Sequence, residues 1–217
     1  MAISIDMRGH GRSSTSKDGY AIEKQAEDVA KILSSLEIER TILIGNSMGS
    51  MIALQFCLDF MDRVHSLILS SVASNLNKYF PFDNCREGWE KDYERFFSQK
   101  LVYSKRTRAE RPELIECHKQ VTLKMSRGAV IDCASDPKGV FFWDISKKLH
   151  KIKVPVLLIY GLEDVITPSE ANKEVAKNLE DIEVIAFEDV GHAPMLGAPD
   201  KFNETVLNFI VKHLGAQ

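Results

Sequence analysis

The stretch Thr41-Ile42-Leu43-Ile44-Gly45-Asn46-Ser47-Met48-Gly49-Ser50 decides the fold of this chain. Its first four residues form a continuous β-branched and aliphatic run, which is typical of a strand covered on both faces in a parallel sheet. Apolar residues continue after it into a predicted helix, so the G-x-S-x-G sequence lies at a strand-to-helix turn. In that context the serine occupies a strained position, and the flanking glycines avoid collisions that side chains would cause.

Strand-like and helix-like segments alternate along the rest of the chain. Strands separated by helices predict an α/β fold with a mostly parallel, doubly wound sheet. The apolar pattern predicts further strands at Ala2–Asp6, Val64–Leu69, Val154–Tyr160 and Glu183–Phe187. It predicts a helix around Ile22–Leu36 and a closing helix from Pro199, whose inner face is formed by Phe202, Val206, Phe209, Ile210 and Leu214.

Residues 75–143 interrupt this alternation. They show no clear strand pattern, and they are too long for a plain loop in a compact domain. We therefore expect a helical cap at 75–143, inserted into a core formed by residues 1–74 and 144–217. The aromatic side chains of the cap region are candidates for the lining of a substrate pocket, with a small core of the cap itself as the alternative. The pocket candidates are Trp89, Phe96, Phe97, Phe141 and Trp143.

Composition excludes several classes of partner. The 28 basic and 31 acidic residues give a net charge of -3, which predicts neither nucleic-acid nor membrane binding. The first twenty residues carry charges and no apolar core of signal-peptide length, so a cytoplasmic protein is expected. The four cysteines, at positions 57, 85, 117 and 133, are scattered. No disulfide is needed in a chain of this size, and their spacing matches no metal site.

A serine hydroxyl is a poor nucleophile unless a base and an orienting acid assist it. The candidate nucleophile is Ser47. Asp164 follows the predicted strand that ends at Tyr160, and sites in open α/β sheets lie at the carboxyl ends of the strands. Asp164 is therefore the candidate acid. Its neighbour Glu163 is a rival, and a simple turn or helix-capping role for Asp164 is also compatible with the sequence.

The candidate base is His192, in the turn Gly191-His192 just after the last predicted strand. Ser47, Asp164 and His192 occur in the order nucleophile, acid and base that G-x-S-x-G hydrolases of α/β architecture use. Among the five other histidines, His10 is the competitor, because it lies in a Gly-rich loop.

Four motifs together resemble the α/β-hydrolase superfamily, in its capped branch of serine esterases and C–C bond hydrolases. They run from one end of the chain to the other in the order of that family. The motifs are Asp6-Met7-Arg8-Gly9-His10-Gly11-Arg12-Ser13, Gly45-Asn46-Ser47-Met48-Gly49, Gly161-Leu162-Glu163-Asp164 with Pro168, and Gly191-His192.

This resemblance implies a two-step acyl transfer on a small-molecule ester, without metal or organic cofactor. Ser47 attacks the carbonyl, His192 takes its proton, Asp164 holds the imidazole, and the backbone N–H of Met48 binds the oxyanion. In the family the loop at residues 6–13 is structural. Asp6 and Ser13 are expected to hydrogen-bond its turns, and Arg8 is expected to pack under the site.

The chain departs from the family pattern at two places. Ser50 stands where relatives usually have a further glycine, and the first three strands of the family, with a loop that donates a second oxyanion N–H, do not precede Asp6. The sheet of that family would then have an empty position beside Thr41–Ile44. We expect Ala2–Asp6 to pair there, and a homodimer or higher oligomer to cover the edge.

Carboxylesterase activity on small esters is the first functional hypothesis. C–C bond hydrolase, lactonase and perhydrolase remain alternatives because they use the same triad. The C–C hydrolases usually carry tryptophan after the catalytic histidine, and this chain has Ala193. The alternative of another class is a truncated, weakly active or non-catalytic scaffold.

Overall fold

The computed structural model describes residues 1–83, 86–87 and 101–214. Its sheet has four strands, all parallel, in the order β1-β2-β3-β4. Four of the five predicted strands are therefore confirmed, with ends that differ from the prediction by at most two residues. The strands are β1 (Thr41–Asn46), β2 (Val64–Ser70), β3 (Val156–Gly161) and β4 (Ile182–Phe187).

Helices connect the strands and cover both faces of the sheet. Those of the core are α1 (Ile22–Ser35), α2 (Met48–Asp59), α6 (Ser169–Lys177), α7 (Pro194–Gly197) and α8 (Pro199–Leu214). Between β2 and β3 lie α3 (Lys105–Glu110), α4 (Pro112–Thr122) and α5 (Arg127–Ser135). Short 3₁₀ turns occur at Met61–Arg63, Leu76–Lys78 and Leu149–Lys151.

Alternate residues of the strands pack against opposite layers of helices. Leu67 and Leu69 of β2 belong to the main core with α1 and α2, whereas Ile68 packs in a second cluster with α8. Each of these three side chains is fully buried. Two buried faces on one parallel sheet are what the continuous apolar runs predicted, and they make this a doubly wound α/β fold.

The segment Ala2–Asp6 is not a strand, and the expected pairing with β1 is wrong. β1 pairs with β2 alone among the described residues. The end of the segment is bound into a local turn instead, where the Asp6 carbonyl accepts a hydrogen bond from the Ser13 hydroxyl at 2.6 Å. Ile5 packs on the main core. These local bonds compete with sheet pairing, and the expected oligomer at the β1 edge stays a prediction.

The face of the closing helix α8 that packs against the sheet is narrower than predicted. Phe202, Val206 and Phe209 are buried, but Leu214 is 43% exposed. At roughly 100° per residue, Leu214 lies about 120° around the helix from Phe202. It therefore falls outside the stripe that meets the sheet.

The described part of the chain contains no helix long and apolar enough to cross a membrane. Among the described cysteines, Cys57, Cys117 and Cys133 are free thiols. Burial raises the pKa of Cys57 and of Cys133 to about 12, so neither is a reactive thiolate near neutral pH.

Candidate active site

Ser47 occupies the sharp turn between β1 and α2. Its backbone has φ 53° and ψ -118°, a conformation that non-glycine residues rarely adopt. The Ser47 N–H donates to the carbonyl oxygen of Ser70, at the end of β2, with an N–O distance of 2.9 Å. The strained turn is thus held by the neighbouring strand as well as by the helix that follows.

The two glycines of the motif have different roles. A Cβ on Gly45 would lie 2.3 Å from the backbone carbonyl of Gly49, so no side chain fits at residue 45. A Cβ on Gly49 would meet no heavy atom of the described residues within 4 Å. Steric exclusion therefore accounts for Gly45, and the expected collision at Gly49 is not present.

Ser50, which departs from the family pattern, is fully buried beneath this turn. Its hydroxyl donates to the Gly45 carbonyl at 2.7 Å and lies 3.0 Å from the Ser70 carbonyl. The same oxygen accepts the N–H of Ser70 at 3.0 Å. One side chain thus joins the ends of β1 and β2 to the first turn of α2. The sequence revealed the departure but not this role.

Asp164 and His192 meet in the loops after β3 and β4. The Nδ1 atom of His192 lies 2.8 Å from Oδ2 of Asp164, and the two residues are only 7% and 4% exposed. Parallel strands end at the same edge of a sheet, so the loop after β1 that carries Ser47 opens on this edge too. The structure thus brings the candidate acid and base into direct contact.

The carboxylate of Asp164 is surrounded by donors. Its Oδ1 accepts the N–H groups of Ile166 and Thr167, each at 2.9 Å. Its Oδ2 accepts the Thr167 hydroxyl at 2.7 Å in addition to His192. Burial alone would raise the pKa of this carboxyl, but His192 and the hydrogen bonds outweigh it and lower the pKa below its usual value.

The rival acid and base make other contacts. Glu163 is exposed, and its Oε2 accepts the backbone N–H of Lys105 at 3.1 Å. His10 lies 3.0 Å through Nδ1 from the carbonyl of Arg8, a bond within its own loop. A base needs an orienting partner on one ring nitrogen, and for His192 that partner is a buried carboxylate.

Val102, in the segment between β2 and β3, supports the loop of His192. The backbone N–H of His192 donates to the carbonyl of Val102 at 2.8 Å. A Cβ on Gly191 would lie 2.6 Å from the same carbonyl, so the close approach requires glycine there. The sequence shows the Gly-His pair but gives no sign of Val102, because a backbone acceptor can be any residue.

The five candidate pocket residues divide into two groups. Trp89, Phe96 and Phe97 lie outside the described residues. Phe141 and Trp143 are buried in the main hydrophobic core, and the indole N–H of Trp143 donates to Oε1 of Gln55 on α2 at 3.0 Å. Both described rings pack within the scaffold, and their part in a substrate pocket stays a prediction.

The loop at residues 6–13 has the structural character that the resemblance implied. Asp6 Oδ2 accepts the N–H of Arg12 at 3.1 Å, and Ser13 bonds the Asp6 carbonyl. For Arg8, the expected packing under the site stays a prediction. Its guanidinium forms an ion pair with Asp28 on α1, at 2.6 Å, because α1 presents a carboxylate directly beside the loop.

A cleft of about 510 Å³ lies behind the loop of His192, between α3 and the start of α8. Arg106, Arg111, Asp189 and Lys201 are among its lining residues, whereas Ser47, Asp164 and His192 are not. Its walls are mainly charged, and it is separate from the candidate catalytic residues.

Comparisons with known proteins agree with this architecture. A family model described as the alpha/beta hydrolase fold matches residues 2–111. The AB hydrolase superfamily protein YisY of Bacillus subtilis is 27% identical over 220 residues, which cover 95% of this chain and 80% of the relative. The 3-oxoadipate enol-lactonase 2 of Acinetobacter baylyi is 26% identical over 213 residues, 94% of this chain and 76% of the relative.

A solved structure is similar over nearly the whole chain. It is described as Est816, an N-acyl homoserine lactone degrading enzyme, and it superimposes with a TM-score of 0.87 at 33% sequence identity. The match covers 94% of this chain and 80% of that one. Fold and sequence therefore point to the same set of relatives.

Proposed function

Because this chain belongs to the α/β-hydrolase family, we propose that it is a serine hydrolase that cleaves small carboxylic esters through an acyl-enzyme. The contact between Asp164 and His192, 2.8 Å long and buried, carries the proposal. Ser47, in its strained turn at the same edge of the sheet, is the nucleophile of that arrangement.

In the first step His192 acts as the base. Its Nδ1–H donates to Asp164, which leaves Nε2 as the acceptor for the proton of the Ser47 hydroxyl. The oxygen of Ser47 attacks the ester carbonyl, and the protonated imidazole then gives its proton to the departing alcohol. The carboxylate of Asp164 stays ionised and stabilises the imidazolium while it exists.

The negative charge of the tetrahedral intermediate falls near the start of α2. The N–H groups in the first turn of a helix have no intrahelical partner, and that of Met48, the first residue of α2, is the proposed oxyanion donor. Water, activated by His192, then hydrolyses the acyl-Ser47 ester and releases the acid.

Hydrolysis of p-nitrophenyl acetate by the wild-type chain and by Ser47→Ala tests the proposal. We expect turnover by the wild type, a rate that falls from acetate and butyrate toward palmitate esters, and no turnover by Ser47→Ala. The matched control is Ser35→Ala, which removes a serine hydroxyl bonded to the Ile32 carbonyl on α1. Activity that survives in purified Ser47→Ala would exclude Ser47, and an inactive wild type would favour a non-catalytic scaffold.

Lactone opening is the second candidate function, since a lactone is an intramolecular ester and the same three residues would open it. It is favoured by the relatives, because one is named as an enol-lactonase and another as a degrader of N-acyl homoserine lactones. The two candidate functions are distinguished by comparing two substrates. Acid release from an N-acyl homoserine lactone is measured in a pH-stat, and hydrolysis of p-nitrophenyl acetate is measured in parallel. A kcat/KM higher for the lactone than for the acetate would replace the first proposal by the second.

A further inference from the structure

We propose that Thr167 is a positioning residue for the candidate triad, whose hydroxyl fixes the Asp164 carboxylate in the orientation that faces His192. This inference rests on the proposed function, because it assigns Thr167 a role in the same site. In the sequence, Thr167 is marked only by its place before Pro168, the residue that precedes α6. The geometry around its hydroxyl points to more than a helix boundary.

The first observation is the sharing of one oxygen. The Thr167 hydroxyl donates to Oδ2 of Asp164 at 2.7 Å, and Nδ1 of His192 lies 2.8 Å from that same oxygen. The Thr167 oxygen is itself 3.3 Å from Nδ1 of His192. Threonine, aspartate and histidine thus form a closed triangle of polar contacts, and a rotation of the carboxylate would break the contacts to both partners.

The second observation is that Thr167 cannot easily move. It is fully buried, and its carbonyl accepts Nδ2 of Asn172 at 2.7 Å. Oδ1 of Asn172 in turn accepts the N–H of Val72, in the loop after β2, at 3.0 Å. Asn172 is also fully buried. Asn172 therefore fixes the position of Thr167 relative to the loop after β2. Through its hydrogen bond, Thr167 in turn restricts the motion of the Asp164 carboxylate.

The third observation is the absence of a ready substitute for the hydroxyl. Thr167 has no exposed surface. If a methyl group replaces its hydroxyl, no space is left for a water molecule to reach this side of the Asp164 carboxylate. Valine has the shape of threonine without its donor. Thr167→Val thus removes one hydrogen bond to Asp164 while the local packing stays filled.

Electrostatics gives the sign of the expected change. His192 and the Thr167 hydrogen bonds both act on the Asp164 carboxylate, whereas the nearby carboxylate of Glu163 accepts the backbone N–H of Lys105 instead. The Thr167 bond contributes to the lowered pKa of Asp164. Without this bond the pKa of Asp164 rises, so the carboxyl takes up a proton at a higher pH and ceases to support the imidazole there.

The test compares Thr167→Val with Thr167→Ser, which keeps the hydroxyl, and with Thr205→Val. Thr205 is a matched control on α8 whose hydroxyl bonds the Lys201 carbonyl. For each variant, kcat and KM are measured from pH 3 to pH 9 with p-nitrophenyl acetate. Thermal unfolding shows that each variant is folded.

We expect kcat for Thr167→Val to fall roughly ten- to a hundred-fold, the range that one hydrogen bond to a charged group represents, with KM little changed. The acidic limb of its kcat/KM profile moves to higher pH. Thr167→Ser recovers most of the loss, and Thr205→Val behaves as the wild type. A folded Thr167→Val with wild-type kcat, or with the acidic limb in its wild-type place, would overturn the proposal.

A spectroscopic readout separates this proposal from the proposed function. A proton on Nδ1 of His192 that is held against Asp164 should give a low-field NMR signal, which is assigned by its loss in His192→Gln. In the full chain, Thr167→Val should shift this signal and Thr167→Ser should not, whether or not the protein hydrolyses esters. An inactive wild type with a shifted signal would refute the esterase alone. An unmoved signal in an active enzyme would refute the role of Thr167 alone.

Discussion

Ser47 and the pair of Asp164 with His192 are held in place by different means. The pair lies in loops after β3 and β4, is more than nine-tenths buried, and is fixed by side-chain hydrogen bonds. Ser47 follows β1, which pairs on one side only among the described residues and has Ile44 54% exposed. It is fixed by a strained backbone, by Gly45 and by a bond to the end of β2.

This difference separates two kinds of sensitivity. The pair of Asp164 and His192 depends on a few polar atoms, so isosteric changes that remove a donor or a charge should affect it strongly. The turn at Ser47 depends on backbone shape and on close approach, so added atoms should affect it more than lost charges.

The largest expected effect is that of His192→Ala. Loss of the base should lower kcat roughly a million-fold, because the members of a triad act as a unit. His10→Ala is the matched control, since His10 makes a bond within its own loop. Steady-state kinetics with p-nitrophenyl acetate measures both. If His10→Ala were the inactive variant and His192→Ala the active one, His192 would not be the base of the site.

Asp164→Asn should be the next most severe change. We expect kcat to fall roughly ten-thousand-fold, as an amide holds the imidazole in the wrong tautomer. Glu163→Gln, at the adjacent exposed position, should keep wild-type kcat. An active Asp164→Asn with an inactive Glu163→Gln would exchange their roles.

The same variant has a signature in stability. The lowered pKa of Asp164 means that its charge stabilises the folded state above the ordinary value of 3.8, and that this stabilisation is lost as the pH falls further. In urea titrations, the difference in free energy of unfolding between wild type and Asp164→Asn should be constant near neutrality and shrink below pH 3.8. A difference that grows on acidification would contradict this sign.

Gly45→Ala tests the other region. Its Cβ would overlap the backbone of Gly49, which cannot rotate away, and we expect a loss of about 3 kcal/mol in the free energy of unfolding. Gly49→Ala is the matched control in the same motif. It should be neutral or slightly stabilising, because alanine favours a helix over glycine. Urea titration of both variants distinguishes a steric requirement at Gly45 from a general sensitivity of the turn.

Much of this architecture can be predicted from the sequence, for reasons that individual elements show. The run in β3 is continuous and aliphatic, as is typical of a covered parallel strand, and β3 is buried throughout. The similar run in β1 predicts the strand correctly but not its exposure, because β1 pairs on one side only among the described residues. The candidate acid and base could also be found, because strand ends locate them and the order along the chain restricts the choice. In both cases a short stretch of sequence is enough for the prediction, because the parallel sheet brings the strand ends to one edge.

The sequence did not reveal which partners individual polar groups would take, whether those partners lie nearby in the chain or far from it. Ala2–Asp6 has the composition of a strand, but whether it pairs depends on its partner, and its end bonds Ser13 instead. Arg8 pairs with Asp28, twenty residues away. Thr167 and Ser50 act through hydroxyls whose partners are decided by tertiary structure. A Thr three residues after an Asp at a strand end is a weak local sign that could have identified Thr167.

Ser50→Ala carries the smallest expected effect and asks how far the turn at Ser47 depends on one hydroxyl. The buried Ser50 oxygen bonds the Gly45 carbonyl and the Ser70 N–H, so its removal leaves buried groups without this partner and should cost about 2 kcal/mol of stability. Ser35→Ala, which removes an exposed hydroxyl, should stay within about 0.5 kcal/mol of the wild type. Alanine leaves the backbone conformation of the turn accessible, so kcat should fall far less than in His192→Ala. A drop in kcat of the same size as that of His192→Ala, in a folded Ser50→Ala protein, would show that the nucleophile too depends on a few polar atoms, and the contrast between the two regions would fail.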